Sequence, residues 1–147
     1  KEPKSIVKKM EKKKYDKTYL NLIEKINDIA GIRIVCTLKD DIFFIRDLVK
    51  QMPDIHVLKE KDYVTNPKES GYSSYHMIVE VPVKLTQKTI YVKCEIQIRT
   101  LAMDFWASFE HKVKYKTKND VNPKMSKELV SCAKMINKFD TKMINYK

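Results

Sequence analysis

The chain has 147 residues, 43% of them hydrophobic, which is enough for one domain with its own core and no disulfide or metal staples. No apolar run approaches the ~20 residues of a membrane span, and the basic opening KEPKSIVKKMEKKK has no signal-peptide core, so a soluble cytoplasmic protein is expected. A formal net charge of +11 asks for an anionic partner (nucleic acid, a membrane surface or small polyphosphates), and lysines so outnumber arginines that sequence-specific reading of DNA is disfavoured.

In chain order, residues 4 to 14 read as a short basic helix with Ser5 near its start, Ile6, Val7 and Met10 facing inward and lysines around the rest. Such a face is usually just solvated, although a helix N-terminus beside lysines also suits phosphate. Residues 19 to 26, YLNLIEKI, continue as helix or turn and lead to Asp28, at the mouth of the strand GIRIVCTL. In that strand Ile32, Ile34 and Cys36 share one face and Arg33 points to the other. Asp40 opens a helix closed by Pro53, with Ile42, Ile45, Leu48, Val49 and Met52 as its buried stripe. IHVLKE follows as a strand, and strand, helix, strand is the unit of a sheet covered by helices.

KEKDYVTNPKESGY, residues 59 to 72, is a polar loop with turn signals at Asn66-Pro67 and Gly71. Tyrosines among lysines on a loop suit a stacked base with its phosphates, and an ordinary hairpin connection explains them equally well. The chain has only two glycines, Gly31 and Gly71, so each is expected to mark a backbone position that needs one.

SYHMIVEVPV is a strand with Met77, Val79 and Val81 on one side and His76, Ile78 and Glu80 on the other. After the turn KLTQK, Ile90, Val92, Cys94, Ile96 and Ile98 alternate with Tyr91, Lys93, Glu95, Gln97 and Arg99. An antiparallel pairing of these two strands brings His76 and Glu95 onto one polar face. Thr100 is placed to cap a helix whose Ala102, Phe105, Trp106, Phe109 and Val113 make a wide apolar stripe. Beyond the polar connection TKNDVNPK, a last helix carries Leu129, Cys132, Ala133, Ile136, Phe139, Met143 and Ile144, a stripe large enough to close the core and also to meet another subunit.

Asp28 and Glu95 stand at the ends of strands expected to be neighbours. Paired carboxylates near cations suit Mg²⁺, a hard ion that takes oxygen ligands, and with Arg33, His76 and the loop lysines they suit a polyphosphate. A glycosidase-like carboxylate pair competes but leaves the cations unexplained. A Cys94 nucleophile fails because alternation turns it away from Glu95, and neither the three cysteines nor the histidines have zinc spacing. There is no Walker loop and no dinucleotide glycine fingerprint.

Three segments, DIAGIRI (28 to 34), KDYVTNPKESGYSSYH (61 to 76) and EIQIRTLAMDFWASFEHKVKYK (95 to 116), closely resemble the RelA/SpoT-type alarmone synthetases, and among them the small stand-alone (p)ppGpp synthetases. The resemblance implies an α/β (α+β) domain with a nucleotidyltransferase-like mixed sheet flanked by helices and a C-terminal helix. It implies one domain over 1–147, with a catalytic core of about 5–116 and a C-terminal helical segment of about 125–146. The implied activity is transfer of the β,γ-pyrophosphate of ATP to the ribose 3′-OH of GTP or GDP, without a hydrolase.

By the same resemblance Asp28 is a Mg²⁺ ligand, and Glu95 activates the 3′-OH and touches the metal. Tyr72 stacks on guanine, with Lys61, Tyr63, Lys68, Ser70 and Ala107 around the acceptor nucleotide, while Ser5, Lys9, Arg33 and His76 serve the ATP side. Small relatives form homotetramers, and RNA or the alarmone itself are the regulators to expect. Other readings are the same transfer to the 3′ end of a tRNA, or an inactive RNA-binding module.

Overall fold

The computed structural model describes residues 3–18, 21–22, 25–26, 29–117 and 122–146. It begins with the helix α1 (Pro3–Lys12), followed by β1 (Ala30–Cys36), α2 (Lys39–Gln51) and β2 (His56–Asp62). Then come β3 (Tyr75–Lys84), β4 (Thr89–Thr100), α3 (Leu101–Lys116) and α4 (Pro123–Met143), with a 3₁₀ turn at Ile144–Tyr146. The strands form one mixed sheet in the order β1-β4-β3-β2, with β1 parallel to β4 and the other pairs antiparallel.

The register fixes which side chains meet. His76 lies opposite Gln97 and Ile78 opposite Glu95 across β3 and β4, while Gly31 and Arg33 lie opposite Glu95 and Gln97 across β1 and β4. Directly paired residues project to the same side, so His76, Glu95, Gln97, Arg99 and Arg33 share one face. The other face is the core. Met77, Val79, Cys94, Ile96 and Ile98 pack there against Ile42 and Val49 of α2, all at most 8% exposed.

Local chemistry explains where the helices start. Asp41 takes the backbone N–H of Leu38 at 3.0 Å, and Asp40 and Asp41 together complement the positive end of α2. The Thr100 hydroxyl accepts from the Met103 N–H at 3.1 Å and caps α3. Asn122 caps α4 in the same way, accepting from Met125 at 2.8 Å with Pro123 at the first helical position. A second core cluster joins the last two helices: Trp106, Leu129 and Ala133 are buried together, and the Trp106 indole N–H donates to the Leu129 carbonyl at 3.1 Å.

Several expected stripes are corrected. On α3 it is Met103, Trp106 and Glu110 that are buried, while Phe105 is 68% and Phe109 47% exposed, their rings stacked on each other. The Thr100 cap and the Trp106 bond hold the helix rotated away from the orientation its aromatics suggest. On α2, Leu48 and Met52 are exposed because a helix on a four-stranded sheet buries only the narrow line through Ile42, Ile45 and Val49. Val7 of α1, Ile32 of β1 and Phe139 of α4 are likewise exposed. β2 runs to Asp62, two residues past its expected end, and a bulge between Val57 and Lys59 leaves Leu58 outward.

Candidate active site

The polar face of the sheet carries a continuous side-chain network. Glu95 accepts at one oxygen from Gln97 Nε2 (2.9 Å) and at the other meets His76 Nδ1 (3.2 Å). The other ring nitrogen of His76 lies 2.9 Å from the Tyr72 hydroxyl. Arg99 donates to that hydroxyl at 2.9 Å, to the Gln97 side-chain carbonyl at 2.6 Å and to Asp104 at 3.2 Å. The same Asp104 oxygen receives Arg33 at 3.2 Å, so one carboxylate at the start of α3 holds two guanidiniums. Burial raises the Tyr72 phenol above its ordinary pKa, with Arg99 opposing the shift, which keeps its proton available for a hydrogen bond.

The loop above this face is a tight hairpin. Gly71 N–H reaches the Lys68 carbonyl at 2.7 Å and Lys68 N–H reaches the Tyr72 carbonyl at 3.0 Å, with Gly71 at φ 86°. This is the three-residue turn that needs a left-handed residue before the strand resumes. At the foot of the loop Asp62 receives Val64 and Thr65 as an Asx turn. Burial works against its charge, but these bonds outweigh it and hold the carboxyl below its usual range. The turn brings Lys68 over the rings of Tyr63 and Tyr72, 4.7 and 4.8 Å from their centroids, and both tyrosines pack edge-on against His76.

A cleft of about 630 Å³ opens beside Tyr72, lined by Arg33, Gln97, Arg99, Ala107 and, on α3, His111, Lys112 and Lys114. Gly31, paired with Glu95, leaves the space beside that carboxylate clear. Among the described residues, a Cβ there would meet the Glu95 carbonyl oxygen at 3.4 Å, an ordinary contact.

The structure brings together Arg33, Tyr63, Lys68, Tyr72, His76 and Glu95 of the residues singled out in the sequence, and Ala107 lines the cleft with Arg33 and Tyr72. Lys61 lies opposite His76 on β2. Ser70 is half-buried in the turn, and Ser5 and Lys9 stand one helical turn apart on α1. Asp28 lies outside the described residues. Sequence reasoning missed Gln97, Arg99 and Asp104 as site residues. The first two carry the same period-two signal as Glu95; Asp104 has no sequence signature, because its role arises only where α3 turns back over the strands.

A mixed sheet whose polar face gathers a carboxylate, cations and a tyrosine-lysine loop over an open cleft defines a nucleotide-handling domain. The model of the region found in RelA / SpoT proteins matches residues 1–120, and the chain belongs to that family. It is 47% identical over 143 residues to GTP pyrophosphokinase YwaC of Bacillus subtilis, covering 97% of this chain and 68% of the relative. The crystal structure of small alarmone synthetase 2 from Bacillus subtilis superposes with a TM-score of 0.91 at 45% identity, over 99% of this chain and 76% of that one. That of small alarmone synthetase 1 from the same organism, bound to its product pppGpp, gives 0.89 at 36% identity, over 99% and 74%.

Proposed function

We propose that this chain is a GTP pyrophosphokinase. The 3′-oxygen of GTP or GDP attacks the β-phosphorus of ATP, the bond between the α- and β-phosphates breaks, and AMP leaves as pppGpp or ppGpp forms. The observation that carries the reading is the joined cluster of Lys68, Tyr63, Tyr72, His76 and Glu95, whose Tyr72 borders the cleft, in a chain of this family. Such a transfer needs positioning and charge neutralisation more than covalent chemistry. In this reading Glu95 takes the 3′-OH proton as general base. Tyr72 stacks on guanine, and Lys61, Tyr63, Lys68, Ser70 and Ala107 surround the acceptor. Arg33, braced by Asp104, joins Ser5, Lys9 and His76 on the donor side.

Asp28, which lies outside the described residues, and Glu95 would be the oxygen ligands of a Mg²⁺ ion, which would neutralise phosphate charge. The cytoplasm as the working compartment and a homotetramer belong to the same proposal. No described helix is long and apolar enough to cross a membrane, and Phe105, Phe109, Met135 and Phe139 offer apolar surface to other subunits. RNA and the alarmone product are the candidate regulators.

The test is incubation with γ-labelled ATP, Mg²⁺ and GTP, GDP or tRNA. Label is expected on the free guanosine nucleotides, and Glu95→Gln should abolish it while nucleotide binding persists. Label on tRNA alone would overturn the assignment, and turnover by the Glu95→Gln protein would remove Glu95 from the mechanism.

A further inference from the structure

Arg99 is 3% exposed, and its hydrogen bonds have a direction. A guanidinium only donates, so the Tyr72 hydroxyl accepts from Arg99 and its own proton is left for His76 Nε2. With that proton on the phenol, the tautomer of His76 that fits is the one protonated on Nδ1, which donates to one oxygen of Glu95. On the other side Arg99 donates to the Gln97 carbonyl, and the Gln97 amide donates to the second oxygen of Glu95. Two arms thus leave a single guanidinium nitrogen and end on different oxygens of one carboxylate, and one of them runs through Tyr72.

From this we infer that Arg99 is a positioning residue: it ties the ring of Tyr72 to the carboxylate of Glu95, so that seating the acceptor base and aiming the general base are one event. The inference rests on the roles proposed above for Tyr72 and Glu95. A role in stability is weakened by the Nε–H, which is buried with no partner among the described residues and counts against the gain from the Asp104 ion pair. Burying an unsatisfied donor of a charged group costs stability that an apolar side chain of the same length would not. What an apolar side chain lacks is the pair of donors on one nitrogen that start the two arms.

Steady-state kinetics on Tyr72→Phe, Arg99→Met and the double variant test this, with folding followed by circular dichroism. Tyr72→Phe keeps the stacking face and cuts one arm, so KM for GTP should stay within about twofold while kcat falls about tenfold. Arg99→Met removes the anchor from which both arms hang, leaving the Tyr72–His76 and Gln97–Glu95 bonds unfixed, so adding Tyr72→Phe to it should lower kcat less than Tyr72→Phe does alone, a non-additive cycle. If Arg99→Met does not fold, Gln97→Met with Tyr72→Phe cuts both arms without touching the arginine and should reach a kcat below either single variant.

An unchanged kcat in Tyr72→Phe, or a fully additive cycle in a chain that does make pppGpp, overturns this inference and leaves the proposed function standing. Absence of guanosine product from the unmodified protein overturns both.

Discussion

Tyr72 offers the most direct test of acceptor recognition. Stacking on an aromatic ring contributes ~1–3 kcal/mol per base, so Tyr72→Ala should raise KM for GTP by about tenfold and leave KM for ATP nearly unchanged. An unchanged KM for GTP would remove the stacking role. A second residue-scale prediction concerns Asp140, buried on α4, which receives the Thr100 hydroxyl at 2.5 Å. Burial raises its carboxyl above the usual range, against the Thr100 bond and the charge of Lys39, whose ammonium is bonded to Asn137 and Thr141. The folded state therefore holds this proton more tightly than the unfolded chain does. Stability from that preference is present below the ordinary aspartate pKa and lost as pH rises through the raised one. Asp140→Asn keeps an acceptor for Thr100 without the charge, so its stability relative to the parent should improve as pH climbs from 4 to 7; thermal melts across that window would show a flat difference if the preference is absent.

At the scale of elements, α4 acts as a seat for the loop that carries Tyr72. A Cβ built on Gly71 lies 2.4 Å from the Ala133 Cβ, and Gly71 has the positive φ that side chains resist. Gly71→Ala should cost about 1–2 kcal/mol from backbone strain alone and more from the clash, lowering Tm by several degrees and raising KM for GTP. Adding Ala133→Gly should recover the steric part only, and recovery of the whole loss would mean that the backbone is not strained. The turn itself was legible from Gly71, because left-handed backbone selects glycine, and from Asn66-Pro67, because proline fixes φ in a turn. That it rests on a helix some 60 positions later was not, since nothing in a local pattern records what lies above a glycine.

For the whole molecule, the charge of +11 and the outward aromatics make two demands, for polyanions and for apolar partners. Met135 and Phe139 are 61% and 59% exposed on α4, one turn apart on the face that does not pack against α3. If this face joins subunits, Phe139→Glu should shift the protein to a smaller species in light scattering without changing its helical content. An unchanged mass would exclude this part of α4 from the interface.

Alternation in β3 and β4 placed His76 and Glu95 on one face, Thr100 and Pro53 marked helix ends, and long motifs placed the chain among the RelA/SpoT proteins. These were readable from the sequence because strand parity, capping and proline geometry are local rules. Which face of α3 turns inward, that Phe105 and Phe139 stay outside, and that Arg99 and Asp104 complete the site were decided by tertiary structure. Each depends on a partner distant in sequence: the Leu129 carbonyl for Trp106, Tyr72 for Arg99, and Arg33 for Asp104. Hydrophobicity alone orders Phe105 inside before Glu110. Only the packing of α4 on Trp106, and the Lys114 ammonium 2.6 Å from the Glu110 carboxylate, reverse that order.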